Sequence, residues 1–203
     1  VADVIAAAEN DEITYGVVVG STQKSYTDES GAVQTSSVVR VACTDGVVRE
    51  YETAGTYRNG AMVSISYAGS QSGVRSLSSR SLSGKVSTDG TKIGDYTFAE
   101  NVQILDTDEY GGYQRIYPSR LAGETLQGDD VIYYTLNSSD EIDCLILSEA
   151  TGDTYTYVYV TSAETNSSST SVSGSYEYYQ NGEQYTISGS VIYTAKTGGA
   201  ALI

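Results

Sequence analysis

The chain has 203 residues, 39% of them apolar, with 26 acidic residues against 11 basic ones and a net charge of −15. Such a charge repels phosphate backbones and anionic membrane surfaces, so nucleic-acid binding and membrane association through lipid headgroups are disfavoured. No run of eighteen or more apolar residues is present, so no membrane-inserting segment is expected.

The aromatic content is almost wholly tyrosine: 19 Tyr, one Phe and no Trp. Tyr, Val, Ile and Thr fit a pleated, half-buried surface. One proline against 21 glycines points to turns built on Gly and Asn. The expected fold class is all-β, with a short N-terminal helical segment in the Ala-rich VADVIAAAE at residues 1–10.

In chain order, ITYGVVVG reads as a strand, and the polar STQKSYTDESGAVQTSS that follows reads as a long turn or hairpin tip. SVVRVACTDGVVREYET places two alternating runs around Asp45-Gly46, a strong hairpin signal. Val39, Val41 and Cys43 share one face, as do Val47, Arg49 and Tyr51. After Asn59-Gly60, AMVSISYAG is a strand with Val63, Ile65 and Tyr67 on its buried side and Met62 on the other. GVRSLSS is its hairpin partner. Asp89-Gly90 marks a further turn, AENVQILDTD a strand, and GGYQRIYPSRLAG an irregular excursion around Pro118. GDDVIYYTLNSSDEIDCLILSEATG reads as strand, turn, strand, and DTYTYVYVTS as an alternating strand. AETNSSST reads as a loop, SGSYEYYQNGEQYTISG as an Asn181-Gly182 hairpin and SVIYTAK as the last strand. Strands recur roughly every eight to twelve residues, the spacing of small sandwiches or barrels.

Two internal similarities organise the chain. Residues 14–53 and 154–188 both read strand, serine-rich loop, strand, x-Gly turn, strand. Residues 60–77 and 128–145 share a Gly-x-x-Val strand, a turn and a short strand, aligning Gly60 with Gly128 and Val63 with Val131. The expected organisation is tandem small β-barrel or sandwich modules at residues 11–80 and 81–150. A third, partial or completing the fold, follows at 151–203. One continuous β domain with similar hairpins is the alternative. The sequence begins without Met and shows no signal peptide, so it reads as a piece of a longer protein.

YGVVVGS, VACTDGVVREYET, GAMVSISYAGSQSGVRSL and GDDVIYYTLNSSDEIDCLIL resemble the repeat regions of cell-surface proteins of Gram-positive Firmicutes anchored by S-layer-homology domains. The resemblance extends over residues 13–195. It implies an extracellular, cell-wall-associated segment serving as a structural spacer or in adhesion, with a cell-wall or host-surface protein or glycan as partner. It carries over no catalytic residue.

The candidate sites are few. Without histidine there is no ready base for a Ser or Cys nucleophile, and no Ser lies in a G-x-S-x-G turn, so no catalytic residue, cofactor site or enzyme activity is expected. Asp106, Asp108 and Glu109 in LDTDEYGG echo the start of a Ca²⁺ loop and are the candidate metal ligands; the other reading is a solvated acidic turn. Tyr155, Tyr157 and Tyr159, with the cluster Tyr176, Tyr178 and Tyr179, are candidate ligand-binding stripes. Cross-strand packing accounts for such stripes equally. A carbohydrate- or protein-binding module using these tyrosines is the alternative function. Cys43 and Cys144 sit in apolar runs and read as small buried hydrophobes; a disulfide between them would close a long loop. Asn137 and Asn166 lie in N-x-S sequons, which matter only in a eukaryotic secretory pathway.

Overall fold

A computed structural model describes residues 13–68, 71–155, 157–167, 172–190 and 197–202. The helical segment expected at residues 1–10 lies outside them, as do most of the strand expected at SVIYTAK and the end of the AETNSSST loop. The described chain is all-β apart from one 3₁₀ turn, Pro118–Leu121. It divides into two compact units, Val1–Thr154 and Tyr155–Ile203.

The first unit starts with five strands: β1 (Thr14–Thr27), β2 (Val33–Cys43), β3 (Val48–Thr53), β4 (Met62–Ala68) and β5 (Gln71–Ser76). They form one sheet in the order β3-β2-β1-β4-β5, so β4 returns to lie beside β1 as in a Greek key. The edge strands β3 and β5 approach each other, curling the sheet into a partly open barrel. Its interior holds Val18, Val39, Val41, Cys43, Tyr51, Val63 and Ile65. The Tyr51 and Tyr67 hydroxyls share a hydrogen bond of 2.8 Å, and the Tyr57 hydroxyl donates to the Val74 carbonyl at 2.8 Å. These hydroxyls satisfy polar tips that would otherwise be costly beside an aliphatic core.

The expected inward face of the β4 strand is correct, but its other face is partly covered at Met62, while Ser66 on the same face is exposed. Met62 joins Val17, Val19, Ala42 and Val48 in a second core with Leu105, Ile132, Cys144 and Ile146. These last come from a second sheet, whose strands are β7 (Lys92–Ile93), β8 (Tyr96–Thr107), β9 (Tyr113–Ile116), β11 (Val131–Leu136) and β12 (Ile142–Ser148). Its order is β11-β12-β8-β7, with β9 also on β8. β12 and β8 run parallel. No helix makes the crossover between them; β9, the 3₁₀ turn, β10 (Thr125–Leu126) and β11 do. β10 pairs with β6 (Gly84–Lys85). The far face of this second sheet packs Ile104, Leu145, Leu147, Val131 and Tyr134 against Val86, Ile93, Leu121 and Leu126.

The second unit holds β13 (Tyr157–Ser167), β14 (Val172–Gln180), β15 (Glu183–Gly189) and β16 (Gly199–Leu202), ordered β15-β14-β13-β16. This is the order of β3-β2-β1-β4. Both leading strands carry a bulge at the same place, after Val18 in β1 and after Val160 in β13. Gly60, at φ 81°, donates its N–H to the Val18 carbonyl, and Gly198, at φ 78°, donates to that of Val160. The β14–β15 turn is Asn181-Gly182 with φ of 52° and 84°, the paired left-handed conformation of a type I′ hairpin.

The polar stretch after Gly20 is not a loop. β1 runs on to Thr27 and pairs with β2 from Val33, leaving a tip of only residues 28–32. Likewise β13 continues through Ala163 to Ser167. Both are two-stranded arms whose side chains are mostly exposed, so they lack the apolar alternation that marks a half-buried strand. The irregular excursion expected around Pro118 contains β9 before the 3₁₀ turn.

Gly16 on β1 leaves no room for a side chain beside β2. A Cβ there would sit 2.5 Å from the Ala42 carbonyl oxygen and 2.6 Å from a Val41 methyl. Gly16→Val should therefore lower stability by about 1–3 kcal/mol through overpacking. Urea denaturation checks this, with the midpoint falling and the slope unchanged.

Candidate binding surface

Several of the acidic residues hold backbone N–H groups. Asp106, at the end of β8, is fully buried. Its carboxylate accepts hydrogen bonds from the Ala150 N–H at 3.1 Å, the Thr151 N–H at 2.9 Å and the Thr151 hydroxyl. Asp108 accepts from the Tyr110 and Gly112 N–H groups, both at 2.8 Å, within its own turn. Glu109 is exposed. Asp106 and Asp108 therefore direct oxygens at separate sets of donors. Among the described residues no group of three or more His, Cys, Asp or Glu is placed to hold a metal ion.

Other turns work as Asp108 does. Asp28 accepts from Ser30, Ala32 and Gln34 at the β1–β2 tip. The Ser30 and Gln34 side chains hold its carboxyl down at about 2. Asp89 is likewise held at about 2 by the hydroxyls of Ser87 and Thr91. Asp45 bonds Arg49 through both oxygens, at 2.9 and 2.7 Å. Near the end of the first unit Arg120 grips Asp153 in the same two-point fashion, at 2.8 and 2.9 Å, and donates to the Thr151 carbonyl.

Both cysteines are buried and free. Cys43 lies in the barrel interior and Cys144 in the core between the two sheets. Burial raises both thiols, Cys144 to about 12, so neither is poised as a thiolate nucleophile.

The candidate tyrosines part company. Tyr176 and Tyr178 are buried with Val158 and Val160, and Tyr185 stacks on Tyr178 with ring centroids 5.6 Å apart. Tyr157, Tyr159 and Tyr179 occupy the opposite face and are 66%, 53% and 45% exposed. Tyr159 and Tyr179 are direct cross-strand partners, and Tyr157 stands two residues along the same strand. Tyr155 is half-buried. Alternation along β14 distinguishes Tyr179 from Tyr176 and Tyr178, a signal that treating the three as one cluster hides. Beside this trio, Gln184 donates to Glu177 at 3.4 Å, giving the patch a polar margin. A tyrosine face of this kind can stack on a sugar ring or pack against another protein surface.

No family model and no curated protein matches the chain. No helix among the described residues is long and apolar enough to cross a membrane.

The hydrogen bonds separate structural carboxylates from metal ligands experimentally. Asp106→Ala should cost roughly 2–4 kcal/mol because it strands two backbone donors in a buried site, while Asp108→Ala costs about 1 kcal/mol or less. Denaturant titration of the two variants reads the difference. After EDTA treatment, millimolar Ca²⁺ should leave the thermal midpoint of the chain where it was; a cation bound only by the folded state would raise it.

Proposed function

We propose that this chain is a non-catalytic structural segment, a spacer or adhesion region, of a bacterial extracellular surface protein. The observation that carries the reading is how the polar groups are used. Asp106 and Asp108, two of the three acidic side chains that sequence marks as candidate ligands, bond the backbone of a strand end and a turn, and the buried thiols are held protonated. Side chains spent on holding turns shut fit a scaffold better than a reaction centre. The shared strand order of β1–β4 and β13–β16 supports a spacer, since extended surface proteins gain length by repeating one fold. The likeness to the repeat regions of wall-anchored Firmicutes proteins supports the extracellular location.

A carbohydrate- or protein-binding module is the second reading, favoured by the exposed Tyr157, Tyr159 and Tyr179. Co-sedimentation of the full chain with cell-wall sacculi, together with a glycan panel, separates a spacer from a segment that binds through these tyrosines. A spacer shows no saturable binding. Saturable binding lost in Tyr157→Ser and Tyr159→Ser chains makes it a binding module.

A further inference from the structure

We infer that the tyrosine face of the second unit is a docking surface for the aliphatic face of another β-sheet, carried by a further module built like residues 84–148. The argument compares two faces inside this one chain. The bulges fix the correspondence: Val18 pairs Val41 just before the first, and Val160 pairs Tyr178 just before the second. The pair Val17–Ala42 therefore corresponds to Tyr159–Tyr179, and Tyr15 to Tyr157. On the other side Val17 pairs Met62 and Tyr159 pairs Ala200.

In the first unit this face is a core. Val17 and Ala42 are 4% and 0% exposed, lying against Leu105, Cys144 and Ile146 of β8 and β12. Tyr15 packs its ring 5.5 Å from that of Tyr133. In the second unit the corresponding Tyr157, Tyr159 and Tyr179 are about half to two-thirds exposed, on a strand whose opposite residues, Val158 and Val160, are buried. Clustered exposed aromatics with a polar margin mark interaction surfaces more often than solvated ones. The occupant follows from the geometry: a face with this strand order and bulge, already seen buried once, is buried by an aliphatic β-sheet. Tyrosines in place of Val17 and Ala42 also set the shape of the partner, which must offer smaller side chains or a hollow opposite Tyr159 and Tyr179. The inference rests on the spacer reading, because a module docked on Tyr157, Tyr159 and Tyr179 covers the face a glycan would need; sacculus binding tests that reading and tyrosine protection tests this one.

The chain's own second sheet supplies the probe. Because Met62 and Ala200 correspond, a copy of residues 66–154 joined after Ile203 continues the register of the first unit. Acetylation by N-acetylimidazole, mapped by mass spectrometry, reports each tyrosine. In the extended chain Tyr157, Tyr159 and Tyr179 should react about tenfold more slowly than in the 203-residue chain, as for a face open a tenth of the time. A second extended chain carrying Tyr159→Val and Tyr179→Ala restores the first-unit residues and removes any clash of size. Protection of Tyr157 there, without protection of the three tyrosines in the unsubstituted extended chain, overturns the inference for the native face. Equal reactivity in every chain overturns it outright. Protection in the 203-residue chain that appears only as concentration rises, with a dimer in sedimentation, overturns it in favour of a second copy as occupant.

Discussion

A strand that carries apolar residues on both faces must be covered twice, and β1 is such a strand. Val17 points to one core and Val18 to the other. The inner face is covered by curling, which brings β3 towards β5. The outer face cannot be served by curling and needs a second layer, which β8, β11 and β12 provide. The bulge at Val19 marks the end of this double duty. Beyond it β1 pairs only with β2, and the two strands leave the core as a polar arm. Most of the first unit follows from that requirement, including the central position of β8 and β12, whose own two faces are both buried.

The two layers are also tied by polar contacts at one end. The Thr44 hydroxyl donates to Gln103 at 2.8 Å, and Arg115 reaches the Asp45 carbonyl at 3.2 Å while lying over the Tyr117 ring. Gly46, at φ 88°, lets the β2–β3 turn pass directly beside the Arg115 side chain. Arg80 stacks on Tyr134 with its guanidinium 4.1 Å from the ring centre and donates to the Tyr134 carbonyl, fastening the segment after β5 along β11. Exposed single ion pairs such as Lys24–Glu50 add little beside these.

The β class was legible because Tyr, Val, Ile and Thr dominate, and the hairpins because Asp45-Gly46 and Asn181-Gly182 punctuate alternating runs. The inward faces through Val39, Val41 and Cys43, and through Val63 and Ile65, were legible for the same reason. The packing of half-buried Met62 against a second sheet was not. It depends on a parallel pairing of β8 with β12, which no local pattern encodes, and a strand covered on both sides loses its alternation. The polar arms were misread as loops because hydropathy reports burial, and a strand exposed on both sides has none to report. The carboxylates of Asp106 and Asp108 looked alike in LDTDEYGG. Only the fold shows that one is a buried anchor for residues 150–151 and the other the cap of its own turn.

The anchor at Asp106 bears on how the chain would carry tension. The segment leaving β12 does not simply run off the edge of the sheet. Thr151 is bonded to Asp106 on β8, and Asp153 to Arg120 on the 3₁₀ turn. A pull applied beyond Thr154 is therefore shared between β8 and the turn before it reaches the β12 ladder. β8 is flanked by β12, β9 and β7, so the load enters through the most heavily paired strand of its sheet. Peeling β12 away one hydrogen bond at a time would first require both grips to fail, which turns a zipper into a knot at the point where tension arrives.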